Sequence, residues 1–143
     1  MNTHETDFYS WTQEQASLLR QGRLGELDSA NLMEEIEDMG RSERRELINR
    51  LAVLLAHLLK WQYQPERRSN SWKSTIKEQR RKVARVLRLN PGLKPDMADS
   101  LEDAYGDSVL IAARETGLDE NAFPAECPWT VPQALDNEFW PDS

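Results

Sequence analysis

The sequence predicts an all-α fold, a single-domain antiparallel helical bundle of about four helices closed by an irregular C-terminal strap. Three observations predict it. Apolar residues recur at helical spacing, no stretch shows sustained period-two alternation, and Gly and Pro breakers cut the chain into four helix-compatible segments followed by a Pro-rich end. At 143 residues and 38% hydrophobic content the chain can bury one core, and no composition break marks a second domain.

The first helix starts at Asp7 or Ser10 as cap, with Gln13 completing a capping box behind Ser10. It places Phe8, Trp11, Gln15, Leu18 and Leu19 along one side and stops at Gly22. The second segment is helix-compatible from near Asp28 to Tyr63, ahead of Pro65, which disfavours helix at the residue before it. At about 36 residues it would measure roughly 54 Å if straight, more than a domain of this size is wide, so it is expected to bend or break at Gly40. Leu47, Ile48, Leu51, Leu54, Leu55, Leu58, Leu59 and Trp61 cover about 200° of its second half, which makes that half the centre of the core. Glu46, Arg50, Val53, His57, Lys60 and Gln64 fill the remaining circumference.

The third helix begins among Ser69, Asn70 and Ser71 and runs to about Leu89, with Trp72, Ile76, Gln79 or Arg80, Val83, Val86 and Leu87 facing inward. Asn90-Pro91-Gly92 ends it, and Pro95-Asp96 opens a fourth helix that reaches Gly117. Residues 118–143 hold four prolines, which prevent a long helix. They also hold Leu118, Phe123, Trp129, Val131, Leu135, Phe139 and Trp140, too much apolar surface for a disordered tail. This segment is expected to pack on the bundle as an extended strap, with one helical turn capped by Thr130 and Gln133.

Charge is dealt out unevenly. Residues 59–95 hold eleven basic and two acidic side chains, whereas the rest of the chain holds 7 basic and 23 acidic, for a total of −7. Either acidic segments fold back onto a basic helix, or a basic surface is kept for an anionic partner. The first alternative expects Arg67, Arg68 and Arg80 to pair with carboxylates, and Arg80 to be the most enclosed of the basic helix's charges. The longest apolar stretch, Leu51–Leu59, is far too short to span a bilayer, and no apolar run stands where a signal peptide needs one. The reading is therefore a cytoplasmic protein with no membrane partner. Cys127 stands alone and only His4 and His57 accompany it, which excludes an internal disulfide and a Cys/His zinc framework.

Several strings together carry a resemblance: Asp7-Phe8-Tyr9-Ser10-Trp11, Asn31-Leu32-Met33-Glu34-Glu35-Ile36-Glu37-Asp38-Met39-Gly40, His57-Leu58-Leu59-Lys60, Tyr63-Gln64-Pro65, Ser71-Trp72 and Phe123-Pro124-Ala125-Glu126-Cys127-Pro128. Over nearly its whole length the chain resembles the bacterial domain-of-unknown-function 29 family. The resemblance implies a small all-helical bacterial protein and brings no activity with it.

Two candidate groups of residues remain. Glu34, Glu35, His57, Lys60 and Arg80 form a candidate polar constellation. Carboxylate-bridged di-metal bundles, however, want Glu-x-x-His from two helices, and this chain contains none. In a continuous helix Glu35 and His57 would stand about 33 Å apart, so only an antiparallel dimer could bring them together. Helix-surface pairs such as Glu37–Arg41 and Glu46–Arg50, with a hydrogen-bonded His57, are the simpler expectation. A Cys127–His57 nucleophile pair lacks an activating environment. The second group, Arg67, Arg68, Lys73, Arg81, Lys82, Arg85 and Arg88, is a candidate anion-binding set beside Trp61, Tyr63 and Trp72, the mixture that single-strand nucleic-acid binders use. The sequence favours a non-enzymatic protein-binding or adaptor module, with a protein partner or self-association and no cofactor, metal or catalytic residue. Nucleic-acid binding through residues 60–88 is the runner-up, and an enzyme site formed across a dimer the third reading.

Overall fold

The structure, a computed structural model, describes residues 3–142. Among them run α1 (Thr3–Thr6), α2 (Phe8–Arg20), α3 (Ser29–Tyr63), α4 (Asn70–Leu89), α5 (Met97–Thr116) and α6 (Val131–Leu135), with no strand. The all-α prediction holds. The expected break at Gly40 does not: α3 is one helix of 35 residues. A glycine inside a helix costs about 1 kcal/mol relative to Ala, which weakens a helix without severing it. Arg41 next to it reaches back to Glu37 and Asp38, bracing that turn. The length argument also presumed one compact body, whereas the chain divides into two compact units, one ending at Ser42 and the other starting at Glu43, and α3 contributes to both.

In the first unit Asp7 caps α2: its Oδ1 accepts from the Ser10 N–H at 3.0 Å and its Oδ2 from the Ser10 hydroxyl at 2.7 Å. Ser10 is therefore inside the helix, and the capping box expected behind it is replaced by this pair. Gly22, at φ +70°, takes the left-handed position that releases the chain from α2. Of the predicted inner face only Trp11 and Gln15 are buried, while Phe8 and Leu19 remain about half exposed. Polar bonds complete the unit. The Trp11 indole donates to Asp28 Oδ2 at 2.9 Å, the Asp28 N–H donates to Gln15 Oε1 at 2.8 Å, and Asn31 Nδ2 donates to the same Asp28 carboxylate at 2.8 Å.

The second unit is built as an ordinary core. Leu47, Leu51, Leu54, Leu55, Leu58 and Leu59 of α3 are fully enclosed by Ile76, Val83 and Leu87 of α4, by Met97, Leu101, Ala104, Tyr105 and Ala112 of α5, and by Phe123, Trp129 and Ala134 beyond it. Ser69 caps α4 by accepting from the Trp72 N–H at 3.2 Å, and Gly117 at φ +78° ends α5. The C-terminal segment packs as a strap. Thr130 and Gln133 form the predicted capping box at the start of α6. The Tyr105 hydroxyl, its pKa pushed up to about 12 mainly by burial, donates to the Pro124 carbonyl at 2.6 Å.

Because Leu55 is enclosed on every side, Leu55→Ala is expected to lower unfolding free energy by about 2–5 kcal/mol in urea titrations. Leu110→Ala, on the half-exposed face of α5, is expected to change it by less than about 0.5 kcal/mol.

Candidate functional site

The structure does not gather the predicted polar constellation. Glu34 and Glu35 belong to the first unit, where Glu35 Oε1 lies 2.7 Å from His4 Nε2. The His4 ring in turn stands edge-on to Trp11, with centroids 4.5 Å apart. His57, Lys60 and Arg80 belong to the second unit. His57 Nδ1 sits 2.9 Å from the Val53 carbonyl one turn back, and burial pushes its pKa down. Lys60, expected on the outer circumference, is buried: its ammonium donates to Glu115 Oε1 at 3.1 Å and lies 4.8 Å above the Trp72 ring. Among the described residues no three His, Cys, Asp or Glu side chains converge as metal ligands would. Cys127 contacts the Trp129 carbonyl at 3.4 Å, and burial raises its thiol pKa, the opposite of what a thiolate nucleophile needs.

Arg80 is enclosed, as its place on the inner face of α4 predicts, but not by a carboxylate. Its Nε donates to the Ala134 carbonyl at 2.9 Å and its Nη2 to the Phe139 carbonyl at 2.8 Å, and its guanidinium lies 5.5 Å from the Trp140 ring. The correction has a simple cause. The helical turn of α6 ends at Leu135, so the main chain around it has carbonyls free to accept. Trp140 also packs on Trp61, with centroids 4.7 Å apart, and Arg68 covers the Trp61 ring while its Nε donates to the Trp61 carbonyl at 2.7 Å. The aromatic residues proposed as a stacking platform are thus occupied by the strap and by the protein's own cations.

The rest of the predicted anion-binding set is outward-facing. Arg67, Lys73, Arg81, Arg85 and Arg88 are exposed, and Lys82 is half-exposed and bonded to Glu78 in the same helix at 2.8 Å. Lys77 joins them, and together Lys77, Arg81, Lys82, Arg85 and Arg88 line a shallow trough of about 670 Å³. The predicted carboxylate cover is missing here. Lys77, Arg81, Arg85 and Arg88 form no ion pair with any described residue. The helix-surface pairs expected on α3 are present, with Glu46 accepting from Arg50 at 2.8 Å and Arg41 3.7 Å from Glu37.

A surface that sequence reasoning missed lies in the first unit. Leu19, Leu27, Leu32, Met33 and Ile36, with Glu37 on the rim, line a groove of about 430 Å³. Met33, Ile36 and Met39 are 61%, 65% and 68% exposed, one turn apart along α3. Their spacing of three residues, together with Leu32, was the available signal. The wider apolar arc from Leu47 to Trp61 dominates the periodicity of the same segment.

The fold is that of an all-helical protein whose distinctive surfaces are an apolar groove and a cationic helix face. A family model for Domain of unknown function DUF29 matches residues 3–140, and the chain belongs to that family. No curated protein and no solved structure matches the chain. No described helix is long and apolar enough to cross a membrane.

Two expectations follow from this geometry. Arg80→Ala would leave two buried carbonyls without a donor, at about 1–3 kcal/mol each, and should loosen the strap, seen as a red shift of Trp emission together with lowered stability. Lys77→Ala, on the exposed face, should leave both unchanged. For His57 the folded pKa lies below the unfolded value near 6.5, so the unfolded chain binds the proton more readily. Its contribution is therefore complete above about pH 6.5 and is lost as pH falls below it, and urea titrations at pH 7.5 and 5.5 should show a smaller acid loss for His57→Gln than for the wild type.

Proposed function

We propose that this protein is a non-enzymatic docking module whose first unit receives a cationic amphipathic helix of another protein. The observation that carries this reading is the exposed stripe of Met33, Ile36 and Met39, with half-buried Leu32 beside it, on a unit whose described residues bury only Trp11 and Gln15. Monomeric proteins seldom leave contiguous apolar surface open without a use for it. From Leu32 to Met39 the stripe runs about 10 Å along α3, and helix-in-groove partners present anchors at i, i+3, i+4 and i+7 over the same distance. Two of these four side chains are methionines, which repack around differently shaped anchors.

Charge selects the partner. Residues 1–42 hold nine acidic and three basic side chains, and Glu34, Glu37 and Asp38 are exposed beside the stripe. Lys and Arg flanking the partner's apolar anchors meet these carboxylates favourably. A second copy laid stripe against stripe would instead bring the same carboxylates face to face, which favours a foreign partner over self-association.

The test uses two synthetic helical peptides with Leu at i, i+3, i+4 and i+7, one with Lys and one with Glu at the flanking positions. Fluorescence titration should show the Lys peptide binding in the micromolar range and Ile36→Asp weakening it at least tenfold, with the melting temperature unchanged. Equal affinity for both peptides, or indifference to Ile36→Asp, would reject the reading. A wild-type dimer in sedimentation equilibrium that Ile36→Asp splits would replace the foreign partner with a second copy.

A further inference from the structure

The outward face of α4 is cationic along its length, and among the described residues its one ion pair is Lys82 with Glu78. Lys77, Arg81, Arg85 and Arg88 repeat at i, i+4, i+8 and i+11, which spaces them over about 17 Å on one side of the helix. Like charges three and four residues apart each destabilise a helix by about 0.2–0.5 kcal/mol. Glu78, the acidic residue of the trough, is bonded to Lys82 and forms no ion pair with these four among the described residues. Yet the chain as a whole is acidic, with a net charge of −7.

The composition of the face decides which polyanion fits it. A membrane surface binds helices that insert an apolar face below the headgroups, and between Lys77 and Arg88 this face offers only Ala84 among its cations. An acidic protein would find one apolar anchor beside the row, Leu89 at its end, and exposed ion pairs add little affinity. Nucleic acid needs neither, because neutralising phosphates with Lys and Arg releases condensed counter-ions. Guanidinium groups, three of the four in this row, also match pairs of phosphate oxygens with a two-pronged hydrogen bond. Base stacking, on which single-strand binders rely, is restricted: half-buried Trp61 and Trp140 pack on each other, and half-buried Trp72 has Lys60 over its ring.

We propose that the Lys77–Arg88 face of α4 binds the phosphate backbone of duplex nucleic acid without sequence preference. A duplex presents a charge about every 1.7 Å of its axis, the densest row available to a cationic helix. The net charge of −7 keeps the interaction weak. This surface belongs to the second unit and is independent of the groove on the first.

Fluorescence anisotropy of a labelled 20-base-pair duplex, titrated with the full chain at 50 and 200 mM NaCl, tests it. Four to five phosphates neutralised give a log–log salt slope of about −4, so affinity should fall roughly a hundredfold or more between the two salts. Arg81→Glu with Arg85→Glu should abolish binding with the helical circular dichroism unchanged, while Ile36→Asp should leave it intact. Should the double reversal lose helicity, Arg81→Gln with Arg85→Gln answers the same question. A salt slope shallower than about −1, or no binding at 50 mM NaCl, overturns the proposal. So does single-stranded DNA of the same length binding as tightly and losing affinity in Trp72→Leu, which would restore base stacking. Equal binding of polyglutamate or of phosphatidylglycerol vesicles would also overturn it, by making the partner an acidic protein or a lipid surface.

Discussion

The second unit depends on one guanidinium placed among apolar side chains. Arg80 is 2% exposed, and the groups that bond it are main-chain carbonyls of the strap at Ala134 and Phe139. Helix core and strap are consequently conditional on each other: without the strap Arg80 would be a desolvated charge, and without Arg80 two carbonyls would be orphaned. Trp140 lays its ring against the same guanidinium, and the field of Asp136 supports the charge that burial disfavours. Nη1 keeps no partner among the described residues, which makes the site costly to assemble and intolerant of a neutral replacement.

That choice of acceptor shapes the electrostatics of the surface. The strap satisfies Arg80 with backbone, so no carboxylate is consumed in bonding it, while Lys77, Arg81, Arg85 and Arg88 on the outer face of α4 form no ion pair with any described residue. Segregated charge thus survives folding. Exposed carboxylates accompany the apolar stripe of the first unit, and exposed guanidinium groups line α4. Surfaces of opposite sign on one chain fit the two partners proposed above, an amphipathic helix for the acidic apolar stripe and a polyanion for the cationic face.

The first unit is held by a different economy. About forty residues cannot surround much apolar surface, and here the buried Trp11 and Gln15 are tied to Asp28 by hydrogen bonds. Asp28 accepts from both Trp11 and Asn31, and these bonds hold its carboxyl below the usual range. A unit fastened in this way does not need Met33, Ile36 and Met39 for its interior, and they stay outside.

Much of this was legible in the residues themselves. The α class, a cap at Asp7 or Ser10 and another among Ser69, Asn70 and Ser71, the Leu arc of α3, the capping box at Thr130 and the inward place of Gln79 or Arg80 follow from local rules, since helix periodicity, capping and breakers act over a few residues. What could not be read is what depended on partners distant in the chain. Nothing near Arg80 in sequence says that carbonyls 54 and 59 residues away would bind it in place of a carboxylate. Nothing near Lys60 says that Glu115 and Trp72 would enclose it. Gly40 is tolerated because its neighbours carry the helix and because two compact units, not one, take up its length. The stripe from Leu32 to Met39 has the same periodicity as a buried face, and only tertiary structure decides whether another element covers it. Local chemistry sets where helices start, stop and turn their apolar sides, whereas which groups lose water is settled by the chain segments that arrive from elsewhere.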